Sequence, residues 1–215
     1  MQEIIHFDLS NKQVCDLLST DIKLKKIFLY IKTADIIIET DGFQCLTKYI
    51  IGQQISDKTR EKIWQNLCNR YPNFTPNSII NVNNAELNSI GIPQHKISYI
   101  KNLANGIICK DIDIENFEKY TNEQIIKKLT QIKGIGKWTV EMYLIFSLKR
   151  RNVVATTDGT IRRVLKWMYN LETLPDKKET ERYFKKWEEN AIIVSAYFWK
   201  AIALNLTSTP FYKLI

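Results

Sequence analysis

Residues 132–139, Ile-Lys-Gly-Ile-Gly-Lys-Trp-Thr, constrain this chain more than any other segment. Two glycines one residue apart interrupt helical periodicity on both sides, so the chain must turn sharply here. On the N-terminal side Leu129, Ile132 and Ile135 keep helix-like spacing. Thr121 and Gln124 form a capping-box pattern, which sets the start of that helix near Thr121. On the C-terminal side a second helix is predicted from Lys137 to about Leu148, with Trp138, Met142, Ile145 and Phe146 on one face. Its first N–H groups and its dipole favour an anion, and Lys133 and Lys137 flank them. A nucleic-acid phosphate fits that description. A plain glycine C-cap between two packed helices fits the same residues.

A second feature lies downstream. Asp158 follows a short β-prone run, Asn152 to Thr157, and precedes an apolar-periodic helix through Ile161, Val164, Leu165 and Met168. Asp at such a place is an N-cap by default. Its neighbours Arg162, Arg163 and Lys166 are basic, as a site facing an acidic polymer requires.

Hairpin and Asp158 together resemble the helix-hairpin-helix base-excision DNA glycosylase superfamily, whose signature is a hairpin, a Gly/Pro-rich stretch and a catalytic Asp. Asp158-x-x-Ile161-x-Arg163-Val164 is similar to the stretch that begins at that Asp. Asp41-Gly42-Phe43 followed by Ile50-Ile51-Gly52-Gln53-Gln54-Ile55-Ser56 resembles the family's Phe…Ile-x-Gln-Gln-Ile-Ser segment. Gly91-Ile92 with Lys96, Tyr99, Ile100, Leu103 and Ala104 resembles the next helix of the family. The likeness runs from about residue 35 to 170 and is greatest to the DNA-3-methyladenine glycosylase II branch.

The resemblance implies an all-α fold of two helical lobes with the active-site cleft between them. One lobe is expected from about 1–55 plus 150–215, the other from about 56–149 with the hairpin at 129–140. Residues 1–40 are expected to be two short helices in place of the longer β-rich domain of some bacterial relatives. Asp158 is then the catalytic carboxylate. Trp138, Met142 and Tyr143 line the base pocket, and Trp187 and Trp199 are further aromatic candidates. Gln53, Gln54, Lys133, Gly134, Gly136, Lys137, Thr139 and Arg163 contact DNA, with Gln54 as the residue inserted into the stack. The alternative role for the two glutamines is a cap on the helix before Ser56, with Ser56 itself the N-cap of the next one. Members that also cut the strand carry a lysine where this chain has Trp138, so base removal without lyase activity is implied. The backbone carbonyls of Thr130, Ile132 and Ile135 are the implied ligands of a monovalent cation, sodium or potassium. No other cofactor is implied.

Two departures bear on substrate range. Thr156 stands where relatives often have proline, and Glu189-Asn190-Ala191-Ile192 replaces a Pro-aromatic-Arg-Ser stretch. Relatives in the same fold act on deaminated, oxidised or mismatched bases, and a non-catalytic DNA-binding module is the third reading.

Charge agrees with a DNA partner. The net charge of +8 and pI of about 9.2 favour an acidic polymer. Lys149-Arg150-Arg151 is the densest basic cluster. The four cysteines Cys15, Cys45, Cys68 and Cys109 lack zinc-finger spacing and none follows Cys109, which argues against an iron–sulfur cluster and for buried reduced thiols. No signal peptide and no membrane-spanning run is visible. The expected protein is a cytoplasmic, nucleoid-associated monomer acting on double-stranded DNA that contains a damaged base.

Overall fold

The computed structural model describes residues 3–214. The chain divides into two compact units, residues 1–38 with 149–215, and residues 39–148. Both are helical, in line with the expected all-α class.

The first unit opens with strand β1 (Glu3–Phe7), helices α1 (Lys12–Leu18) and α2 (Ile22–Ile31), and strand β2 (Ala34–Ile38). The expectation of two short helices is therefore incomplete. The strands pair antiparallel, with Ile5 opposite Ile36 and Phe7 opposite Ala34. Ala34, Ile36 and Ile38 face inward while Asp35 and Ile37 face out. That is a period-two strand, obscured in the sequence because Ile37 is apolar on the outer face.

The unit continues after residue 148 with α10 (Gly159–Tyr169), α11 (Lys177–Phe184) and α12 (Ala191–Ala203). Every side chain of α12 from Ala191 to Phe198 is buried. A helix apolar all round must be surrounded, and α12 packs on α2, β2 and α10. Tyr197 stacks on Phe28 at 3.8 Å between ring centroids and donates its hydroxyl to the Lys32 carbonyl at 3.0 Å. The β-prone run before Asp158 forms no strand; turn bonds from Thr156 N–H to Val154 O and from Asp158 N–H to Ala155 O take its backbone groups.

The second unit contains α3 (Gly42–Gly52), α4 (Asp57–Arg70), α5 (Pro76–Ile79), α6 (Asn84–Ser89), α7 (Gln94–Ile108), α8 (Asn122–Leu129) and α9 (Lys137–Phe146). Helix α3 packs on α4, α7 and α9. Residues 39–55 thus cluster with the middle of the chain, whereas the lobe boundary was expected near 55. The physical reason is the buried side of α3: Phe43, Leu46, Tyr49, Ile50 and Ile51 find their apolar partners there.

Candidate active site and nucleic-acid interface

The hairpin belongs to the second unit. Helix α8 starts as its sequence predicts: Thr121 accepts from the Gln124 N–H and Gln124 reaches back to the Thr121 N–H. It stops at Leu129, so Ile132 and Ile135 belong to the turn although their spacing continues the helical pattern. The turn closes with Ile132 N–H on Leu129 O and Ile135 N–H on Ile132 O.

The two glycines do different jobs. Gly134 has φ +99°, and a Cβ there would fall 1.9 Å from Cγ of Tyr99 on α7. Only glycine fits. Gly136 has an ordinary φ of −90°, and a Cβ would meet nothing within 4 Å. It is the N-cap of α9, with no side-chain cap. Bare backbone at that helix start leaves its N–H groups open to an approaching anion.

The predicted site residues separate into outward and inward groups. Lys133, Gly136 and Lys137 are exposed. The Lys137 ammonium lies 3.4 Å from the buried carboxylate of Glu141, one turn along α9. Gln54 is exposed with φ +58° and sits at the tip of the α3–α4 loop. Gln53 turns inward instead. Its amide donates to the Gly134 carbonyl and to Oγ1 of Thr139, both at 2.9 Å. Thr139 is 1% exposed, so it lies beneath the hairpin and not on its outer surface. Ser56 caps α4 through the Thr59 N–H, and Gln53 is the C-cap residue of α3, its own N–H on the Ile50 carbonyl.

Trp138 is half-buried and meets Tyr49 edge-on, with ring centroids 6.0 Å apart. Met142, four residues on, shares its side of α9. Tyr143 does not share it. That ring is 1% exposed, lies edge-on to Phe117, and forms part of the wall of a cavity of about 610 Å³ with Asp41, Gly42, Phe43 and Ile114. Tyr143 is thus separated from the other two expected pocket residues.

One feature of this unit carried no role in the sequence. Lys96 on α7 is 4% exposed, and its ammonium donates to the carbonyls of Ile51 at 2.7 Å and Gln53 at 2.6 Å. A cation at the C-terminal end of α3 satisfies carbonyls that the helix leaves unpaired and complements its dipole. Burial pulls the Lys96 ammonium below the ordinary lysine value.

The first unit holds Asp158. Its Oδ1 accepts from the N–H groups of Thr160 and Ile161, each at 2.9 Å, and caps α10. The N-cap reading and the functional reading are therefore compatible. The residue is 9% exposed, and Trp199 Nε1 on α12 lies 3.5 Å from the same oxygen. Trp187, the other aromatic candidate, is a core residue that donates to Thr20 Oγ1. Arg163 is exposed near the start of α10, with a guanidinium N–H on Thr160 Oγ1 at 3.3 Å.

The basic cluster is partly engaged within the same unit. Lys149 pairs with Glu3 at 2.8 Å and Arg151 donates to Asn190 at 2.6 Å. Of the cysteines, Cys45 is buried but Cys15 and Cys109 are exposed, against the expectation of burial. Among the described residues no helix is long and apolar enough to cross a membrane.

Residues 47–189 match the HhH-GPD superfamily base excision DNA repair protein family. The chain is 31% identical to DNA-3-methyladenine glycosylase 1 of Schizosaccharomyces pombe over 174 residues, covering 79% of this chain and 76% of that one. A crystal structure of DNA-3-methyladenine glycosidase from Bacillus halodurans superposes with a TM-score of 0.80 at 26% identity, covering 98% of both chains. The S. pombe 3-methyladenine DNA glycosylase in complex with abasic DNA gives 0.81 at 26% identity, covering 90% of this chain and 97% of that one. With its hairpin and its capped aspartate in the matched segment, the chain belongs to the HhH-GPD superfamily of base excision DNA repair proteins.

Proposed function

We propose that this protein is a monofunctional DNA glycosylase of base excision repair that removes alkylated purines, of the 3-methyladenine type, from double-stranded DNA and leaves an abasic site. The observation that carries the reading is Asp158, a carboxylate fixed by two backbone N–H groups at the start of α10. The names of the relatives support the substrate class.

A single fixed carboxylate suits this chemistry. Glycosidases ordinarily need one group to protonate the leaving group and another to act at the sugar. An N3- or N7-alkylated purine already carries positive charge and leaves without strong acid assistance. The sugar then develops oxocarbenium character, and Asp158 stabilises that charge and orients the attacking water. The backbone donors keep the carboxylate aimed, so little reorganisation accompanies the reaction.

The remaining roles follow the local geometry. Backbone N–H groups at the start of α9, with Lys133 and Lys137, take a DNA phosphate. Arg163 meets the backbone from near the start of α10. Gln54, exposed at its loop tip, fills the gap left by the flipped base. Trp138 stacks on the electron-poor base, with Met142 beside it. The carbonyls of Thr130, Ile132 and Ile135 offer neutral oxygen donors just past the C-terminal end of α8, where the helix dipole favours a cation. They would hold a sodium or potassium ion, which would bring positive charge to the phosphate. The enzyme acts as a monomer, in the cytoplasm with the nucleoid if the cell is bacterial or archaeal.

The test is chromatographic identification of bases freed from randomly methylated duplex DNA. Release of 3-methyladenine or 7-methylguanine is expected. Release of neither, with release of a deaminated or oxidised base, would overturn the substrate class.

A further inference from the structure

The α3–α4 loop and the hairpin are far apart in sequence, yet one helix holds both. Along α7, Lys96, Tyr99 and Asn102 follow one another at intervals of three and so lie along one side of the helix. Lys96 grips the carbonyls of Ile51 and Gln53 at the end of α3. Tyr99 fills the space under Gly134 that any side chain would need. Asn102 donates to the Lys133 carbonyl at 3.4 Å. Gln53 closes the circuit: its backbone carbonyl is held by Lys96, while its side chain holds Gly134 and Thr139.

We infer that Lys96 and Gln53 are positioning residues for base extrusion: they lock the Gln54 loop to the phosphate-binding hairpin so that both meet DNA in one fixed register. The inference rests on the function proposed above and deepens it. Neither side chain needs to touch DNA. Gln54 follows directly on the clamped Gln53, and its φ of +58° is a conformation that a non-glycine residue holds only when its surroundings enforce it. A buried cation with two carbonyl partners is the kind of neighbour that enforces one. Inserting a side chain into the stack while gripping a phosphate requires a set distance between the two, and an error of about 1 Å in such placement can cost about 100-fold in rate.

The consequence is specific to one step. A loosened clamp penalises extrusion of the base, not the later chemistry at Asp158. Extrusion is cheapest for bases that are already mispaired. A positioning defect is therefore relieved by a mispair, whereas a reduced folded fraction lowers the rate on every duplex equally.

The experiment compares wild type, Lys96→Met and Gln53→Leu. The Gln53 variant leaves the buried ammonium in place, so it remains informative if Lys96→Met does not fold. Single-turnover excision is measured well below each variant's own Tm, on duplexes with one N7-alkylated guanine opposite cytosine or opposite a mismatched base. Both variants are expected to lose about 10- to 100-fold on the paired lesion and to regain most of it on the mispaired one. Equal losses on the two duplexes, or no loss, would overturn the inference. Affinity for a duplex carrying an uncleavable 2′-fluoro analogue of the N7-alkylated guanine opposite cytosine is measured alongside. A fall of about tenfold in both variants supports the clamp, and unchanged affinity contradicts it. That arm needs no turnover, so a wild type that frees no base would refute the proposed activity and still leave the clamp decided.

Discussion

The indole nitrogen of Trp199 lies 3.5 Å from Oδ1 of Asp158, the same oxygen that accepts the Thr160 and Ile161 N–H groups. Trp199 is on α12, the most apolar helix of its unit, and brings a polar hydrogen to the carboxylate proposed above to act at the sugar. The indole steers that carboxylate, and the backbone donors restrict it further.

Trp199→Phe keeps an aromatic ring and removes the N–H. The turnover rate should fall about three- to tenfold, the size expected for one modest hydrogen bond, with Tm nearly unchanged. Single-turnover kinetics together with a thermal melt check this.

The hairpin glycines should respond oppositely to the same substitution. Gly134→Ala forces a Cβ into the Tyr99 ring at a positive φ, and should destabilise the fold by about 2 kcal/mol or more. Gly136→Ala meets no protein atom and should leave Tm within about 0.5 kcal/mol of wild type. Its methyl instead lies at the bare start of α9, so duplex affinity should drop. Denaturant melts and DNA-binding titrations separate the two effects.

Lys133 is exposed, and its replacement should change binding without changing stability. Lys133→Gln should weaken affinity for all duplexes alike. It should also lower the slope of log affinity against log salt by about 0.9, the loss of one phosphate contact. An unchanged slope would show that Lys133 meets no phosphate.

Borohydride treatment of the enzyme with abasic duplex should trap no covalent adduct. Trp138 offers no amine to attack the sugar, and the neighbouring Lys137 ammonium is engaged with Glu141. A strong adduct would mean that another lysine attacks the sugar.

Much of this arrangement is legible in the sequence, for identifiable reasons. The caps at Thr121, Ser56 and Asp158 are local, so a few adjacent residues decide them. The turn at Gly134 is also legible, although its cause is Tyr99, which only the fold brings near. What sequence reasoning misses depends on distant partners. Gln53 reads as a DNA contact until Gly134 and Thr139 take its amide. Lys96 reads only as part of a helix resembling the family's, with no role of its own, until the end of α3 surrounds it. Strand β2 hides because its outward residue Ile37 is as apolar as its inward neighbours, and only pairing with β1 reveals the period. Tyr143, next to Met142 in sequence, lies about 100° away around the helix and lines a cavity with Asp41 and Ile114, which sequence adjacency does not reveal.

The most direct test is base release from methylated duplex DNA by wild type and Asp158→Asn under single-turnover conditions. The asparagine keeps a cap for α10, so folding and affinity for abasic duplex should be retained. Release of 3-methyladenine and 7-methylguanine should fall by at least about 100-fold, the scale of losing one preorganised charge at the reacting centre. Turnover near the wild-type rate in the Asp158→Asn enzyme would contradict the assignment of the chemistry to this carboxylate.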